Sequence, residues 1–204
     1  MGKILGPKHR MCRRVGERLC TSDKCPSSRR QQPPGVHGPK GYRRLTEFGT
    51  QLKEKQKTRF MYGVMEKQLR RYYDEAIRKT GNTAENFLRG LERRLDNTVF
   101  RMGFAKTRAQ ARQMVSHGLV QVNGKRLTIP SYQVRVGETV GVKPALKQGP
   151  LMKSVFTGGA GQAPMPSWLD ANRDSLSGKV LSMPAPEDFP QNLNMTLVVE
   201  YYSR

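Results

Sequence analysis

Residues 94–134 read RLDNTVFRMGFAKTRAQARQMVSHGLVQVNGKRLTIPSYQV. The order of signals in this stretch predicts a short helix, a basic loop, a capped second helix and a β-hairpin. Thr107-Arg108-Ala109-Gln110 has the form of a capping box, a hydroxyl at the N-cap with a glutamine three residues on. The helix it opens is expected to run to Ser116, to bury Ala111, Met114 and Val115, and to end at Gly118. Arg108 and Arg112 lie four residues apart and so project from one side of it. Val120, Gln121 and Val122 alternate into Asn123-Gly124, a pair that suits the positive φ angles of a two-residue hairpin turn. Val140 and Val142 offer a further strand. The spacing predicts a small α-β module over residues 95–148.

Charge says what such a module is for. Between Arg101 and Gln148 there are nine Lys/Arg and a single acid, Glu138. So small a segment with that excess is built to lie against an anion, and a nucleic-acid backbone is the most abundant one. The start of the second helix offers unpaired N–H groups and a positive dipole end. Lys106 and Arg108 flank it, and Arg112 continues the face one turn on. Asn123, Gly124, Lys125 and Arg126 form a second cationic tip. Two tips on one scaffold suit recognition of a folded RNA by shape. Arg94, Arg101, Thr107, Gln113 and His117 complete the expected contact set.

Outward from the module the chain changes character. The whole sequence, 204 residues, carries a formal +21. Residues 1–60 hold +12 of it and residues 61–100 hold +2, whereas residues 149–204 sum to −1. Two basic lobes therefore flank a near-neutral stretch, and the C-terminal quarter is not addressed to nucleic acid. Residues 1–45, rich in Gly, Pro, Ser and Arg, predict an irregular arm that something external must order. Within it GPKHRMC and CPSSRRQQPPGVHGPKGYRR read as loop, with Arg13, Arg14, Lys40, Arg43 and Arg44 suited to phosphates. Residues 46–94 predict a helical domain: one helix capped by Thr46, a second with an apolar stripe from Met61 to Ile77, a third from Thr83 to about Arg94. After Lys147, a Gly-rich linker over Thr157 to Ala163 is expected to lead to a final strand, Thr196 to Tyr202. In this reading residues 149–204 pack back on the helical body through Trp168, Tyr201 and Tyr202. The fold class expected is α+β, an arm and helical domain with the small RNA-binding module inserted.

No apolar run approaches a membrane span, and no secretory core follows the N-terminus. Three cysteines, all before residue 26, argue against a disulfide framework. A cytosolic or organellar site of action follows as the expectation. No P-loop, paired carboxylate or nucleophile elbow is present, so the expectation is a binding protein without turnover.

The motifs RLDN, RMGFAKTRAQARQMVSHG and VNGKRLTIPSYQV closely resemble the RNA-binding module of the bacterial ribosomal protein S4 family. PPGVHG, FGTQLKEKQKTRFMYGVMEKQLRRYY, GNTAENFLRGLERRLDN and the terminal VVEYYSR are also similar to that family, so the likeness spans nearly the whole chain. It implies a primary binder of small-subunit ribosomal RNA that nucleates assembly, touches neighbouring small-subunit proteins and influences decoding accuracy. It further implies a place beside the channel through which mRNA enters, with Lys40, Arg43 and Arg44 of the arm at the message. Two rivals stand beside it: an RNA-modifying enzyme of the pseudouridine-synthase kind that borrows the module, and a free translational repressor.

His9, Cys12, Cys20 and Cys25 form the second constellation. His-x2-Cys followed by Cys-x4-Cys supplies four N or S donors, the set that tetrahedral Zn²⁺ takes. A loop-rich arm without its own core gains most from such a staple. The resembled family includes members with four cysteines here that bind zinc and others that have lost them; this chain has His9 in place of the first cysteine and a shorter spacer. The alternative is a decayed site with free thiols and a phosphate-contacting histidine.

Overall fold

The computed structural model describes the chain except for residues 1, 3, 5, 22–24, 43, 144–164 and 173–174. It divides into two compact units, one of residues 1–87 with 190–204, the other of residues 88–189. The expected linker from Thr157 to Ala163 lies outside the described residues.

The first unit is helical. α1 (Lys8–Val15) ends at Gly16, whose φ of 82° closes it in the left-handed region. The loop reading of GPKHRMC is corrected here. Only Cys12 and Val15 are buried on this helix, three apart among basic residues, too sparse a stripe to stand out. α2 (Glu47–Tyr62) is capped by Thr46, whose side chain accepts from Gly49 N. It ends at Gly63, φ 63°, before α3 (Glu66–Ile77) begins. The apolar stripe expected to be continuous from Met61 is thus cut by a left-handed glycine, and Met65 and Ile77 are exposed. α4 (Thr83–Glu92) follows, its residues 83–87 in this unit and 88–92 in the second.

The C-terminal segment expected as a strand is a helix, α7 (Met195–Ser203), capped by Asn194. Its β-branched and aromatic composition suggested a strand, but tertiary packing overrides that preference. Met195 and Val198 are buried. Gln51 on α2 donates to Glu200 at 3.0 Å, and Tyr202 donates to Glu66 at 2.8 Å while stacking on Tyr73 at 4.9 Å. Burial and the Glu66 carboxylate push the Tyr202 phenol far above its ordinary range.

The second unit packs α5 (Leu95–Arg101) and α6 (Arg108–Ser116) with an antiparallel sheet of order β2-β1-β3-β5-β4. Its strands are β1 (Val120–Val122), β2 (Lys125–Arg126), β3 (Thr139–Val142), β4 (Leu169–Asn172) and β5 (Ser177–Val180). Leu95, Val99, Phe104, Val115, Val120 and Val140 are fully buried, and they share one core with Trp168, Leu176 and Val180. That overturns the expectation that residues 149–204 pack as one piece on the helical body. The β4–β5 hairpin, with Trp168 before it, instead completes the module's sheet through β3. Only residues 190–204 join the helical unit.

Candidate nucleic-acid interface

The cap that starts α6 is double. Gln110 N donates to Thr107 Oγ1 at 3.1 Å, and Lys106 N donates back to Gln110 Oε1 at 2.9 Å. This fixes the helix end that Lys106 and Arg108 flank. At the hairpin, Asn123 (φ 50°) and Gly124 (φ 77°) both take positive φ, and Asn123 Oδ1 accepts from Thr139 N at 2.9 Å. Asn123 thus serves the turn with its carbonyl, while Lys125 and Arg126 stand exposed at the tip. Gln113 and His117 are exposed on α6. The module's one acid between residues 101 and 148 is not a free charge. Glu138 accepts from Tyr132 Oη at 2.6 Å and from Arg135 N at 2.9 Å, and that hydrogen bond raises the Tyr132 pKa.

Two carboxylates just upstream organise the arginines. Glu92, 0% exposed, takes a two-pronged contact from Arg101, Nε at 3.0 Å and Nη2 at 2.7 Å. Asp96 takes the matching contact from Arg94, Nε at 3.0 Å and Nη2 at 2.6 Å, and Arg112 Nη1 lies 3.5 Å from it. Between them Asn97 Nδ2 donates to the Glu92 carboxylate at 2.7 Å, and Asn97 Oδ1 accepts from Arg108 Nε at 2.8 Å. The Arg108 guanidinium lies 4.5 Å over the Phe100 ring, within cation–π range.

Three expected contacts are corrected by this geometry. Arg94 is 0% exposed and cannot reach RNA; a buried guanidinium has to keep its carboxylate. Arg101, only 14% exposed at its side chain, is turned inward to Glu92. Thr107 acts as a cap. Arg112, 12% exposed at its side chain, is likewise drawn to Asp96, so the surface left to an anion is formed by Lys106, Arg108, Gln113, His117, Lys125 and Arg126. Sequence reasoning missed Glu92, Asn97 and Phe100. The signal was two acids, Glu92 and Asp96, set among Arg93, Arg94 and Arg101.

In the arm, His9, Cys20 and Cys25 bring their donor atoms within 4.8 Å of one another. Tetrahedral zinc places neighbouring N and S donors about 3.5–3.8 Å apart, and Cys20 Sγ lies 3.7 Å from His9 Nδ1. Burial pushes the Cys25 thiol up. The Ser27 hydroxyl (3.0 Å) and backbone, then Cys20 and His9, outweigh that and bring it from 9.0 to about 6. The thiolate that a metal takes is thus available at neutral pH. This cluster fits a metal ion. Cys12 is outside it, which corrects the four-donor set: at 1% exposure it is packed beside Val15 as a small apolar side chain.

Two family profiles match adjacent stretches that together cover residues 3–140. One described as "Ribosomal protein S4/S9 N-terminal domain" matches residues 3–92, and one described as "S4 domain" matches residues 93–140. The small ribosomal subunit protein uS4 of Acetivibrio thermocellus is 47% identical over 210 aligned residues, with both chains covered in full. The chain belongs to the ribosomal protein S4 family. Proteins of the same name from Heliobacterium modesticaldum and Gloeobacter violaceus are each 46% identical, again over the full length of both chains.

Within this S4-family chain the arm is more ordered than its composition predicts. Arg13 donates to Gln32 O at 3.0 Å and to Pro33 O at 3.1 Å, and Tyr42 Oη donates to Arg13 O. Arg13 therefore braces the arm instead of standing free. Gly38 is buried, and any Cβ there would collide with Pro33 O, which is why PPGVHG closes on a glycine. Arg14, Lys40 and Arg44 are exposed; Arg43 lies outside the described residues. No described helix is long and apolar enough to cross a membrane.

Proposed function

We propose that this chain is a structural component of the small ribosomal subunit that binds its ribosomal RNA directly and early in assembly, without catalytic turnover. The observation that carries this reading is the cationic face of α6 and the hairpin tip, on a module whose one local acid is tied down. The family of the chain gives that surface its target. Lys106, Arg108, Lys125 and Arg126 meet phosphates, while Gln113 and His117 can address sugar or base edges. Arg94 and Arg101 support that surface from within. The finer reading follows from the family resemblance: Lys40, Arg43 and Arg44 take the message near the channel where it enters, Lys40 and Arg44 being exposed, and neighbouring small-subunit proteins pack on the remaining surface. Cytoplasmic ribosomes are the place of action. The test is co-sedimentation. The full chain is expected to bind a small-subunit rRNA transcript and to travel with small subunits washed at moderate salt. A chain that stays in the supernatant overturns the reading.

Zinc is the metal proposed for the arm, held by His9, Cys20 and Cys25. Its chemistry there is structural: it ties α1 to the turn after Cys25, in a segment with a small core. Elemental analysis of chain purified without chelator is expected to find about one zinc per molecule. C20S and C25S should lose it, whereas C12A should keep it. A metal-free wild-type chain would refute the site, and loss of zinc in C12A would restore the four-donor arrangement.

A further inference from the structure

Arg108 stands at the start of α6, where a long side chain would ordinarily sample many rotamers. Here two neighbours restrict it. Its Nε is engaged by Asn97 Oδ1 at 2.8 Å, and one face of its guanidinium is covered by Phe100. Asn97 cannot turn its amide over, because Nδ2 is held by Glu92 O at 3.0 Å and by the Glu92 carboxylate at 2.7 Å. Glu92 is locked in turn by the two-pronged contact from Arg101. A flipped amide would set its oxygen against the Glu92 carbonyl and buried carboxylate and its NH₂ against a guanidinium, three mismatched contacts at once. The chain of contacts Arg101–Glu92–Asn97–Arg108 is therefore directional at every link. Asn97 is 2% exposed and Phe100 8% exposed, so neither can serve as a major RNA contact itself.

We propose that Asn97 and Phe100 are positioning residues that hold the Arg108 guanidinium in one orientation, ready for a phosphate of the folded ribosomal RNA. This rests on the RNA-binding reading above. Ordering a side chain before binding removes a cost that association otherwise carries. Losing that order should weaken affinity about threefold to tenfold, the range for one rotamer-rich side chain. It should not change the number of phosphates neutralised, since Arg108 keeps its charge.

Affinity of the full chain for a small-subunit rRNA transcript, measured across a salt series, separates these effects. N97A is expected to bind about threefold to tenfold more weakly with an unchanged salt slope. R108A should bind more weakly still and lose about 0.7–0.9 from the slope, one phosphate contact. The N97A/R108A double variant should match R108A alone, because an orienting residue has nothing left to orient. Independent losses in the double variant, or wild-type affinity in N97A, overturn the proposal while leaving RNA binding intact. An R108A variant unchanged in both affinity and slope removes the contact itself and sinks this inference together with that part of the RNA face. Should N97A fail to fold, F100L removes the ring beneath the guanidinium, keeps the core filled and enters the same cycle.

Discussion

Alanine in place of Asp96 should lower the stability of the module by about 3–5 kcal/mol, the cost of leaving a buried charge without its partner. Arg94 has a side chain 1% exposed and Asp96 one 6% exposed, and the two share a pair of hydrogen bonds at 3.0 and 2.6 Å. Asp96 also accepts from Asn97 N at 2.9 Å. Removing the carboxylate takes away the paired opposite charge of the Arg94 guanidinium in a place water does not reach. D96N, which keeps shape and some hydrogen bonding but not charge, should fall between wild type and D96A. The sequence has a single tryptophan, and Trp168 is fully buried in this unit's core, so its fluorescence in a urea titration reports the module's own unfolding. The contrasting position in the same unit is Lys125, exposed at the hairpin tip; K125A should move stability by less than about 1 kcal/mol. A D96A midpoint within error of K125A would mean that the Arg94 pair is not the internal strut described.

What the sequence discloses and what it hides follow from the range of the forces involved. The α6 cap, the Asn123-Gly124 turn and the Thr46 cap depend on residues two to four apart, and each is readable locally. α7 and the β4–β5 hairpin depend on partners far along the chain. Nothing inside Thr196 to Tyr202 states that Met195 and Val198 will be buried and Tyr202 will stack on Tyr73, so a strand-like composition misleads. Nothing inside Ser177 to Val180 states that it will pair with Thr139 to Gly141. The site shows the same division. Excess charge over residues 101–148 pointed to the candidate interface, but a count that begins at Arg101 leaves out Glu92 and Asp96, the acids that draw Arg101 and Arg94 inward. In the arm, spacing proposed four metal donors. The helix carrying His9 and Cys12 buries Cys12 instead, and among the described residues His9, Cys20 and Cys25 come together.

Binding of the full chain to small-subunit rRNA should weaken about a thousandfold between 50 and 200 mM salt, because the adhesive is counterion release. Six described cations of the module have at least partly exposed side chains and lie outside the internal ion pairs to Glu92 and Asp96: Lys106, Arg108, Lys125, Arg126, Arg135 and Lys143. If each neutralises one phosphate, log K falls against log salt with a slope of about −4 to −5. Exposed arm residues such as Arg14, Lys40 and Arg44 can only steepen it. The internal pairs predict a second feature of the same experiment. Arg101 and Arg94 are already neutralised by Glu92 and Asp96, so they contribute fold and not slope. R101K, which keeps the charge but loses the two-pronged contact, should therefore lower stability and leave the slope where it was. K125A/R126A should do the reverse, reducing the slope by nearly 2 with the urea midpoint almost unmoved. A wild-type slope shallower than about −2 would show that few phosphates are neutralised, and that the cationic face of α6 and the hairpin is not what grips the RNA.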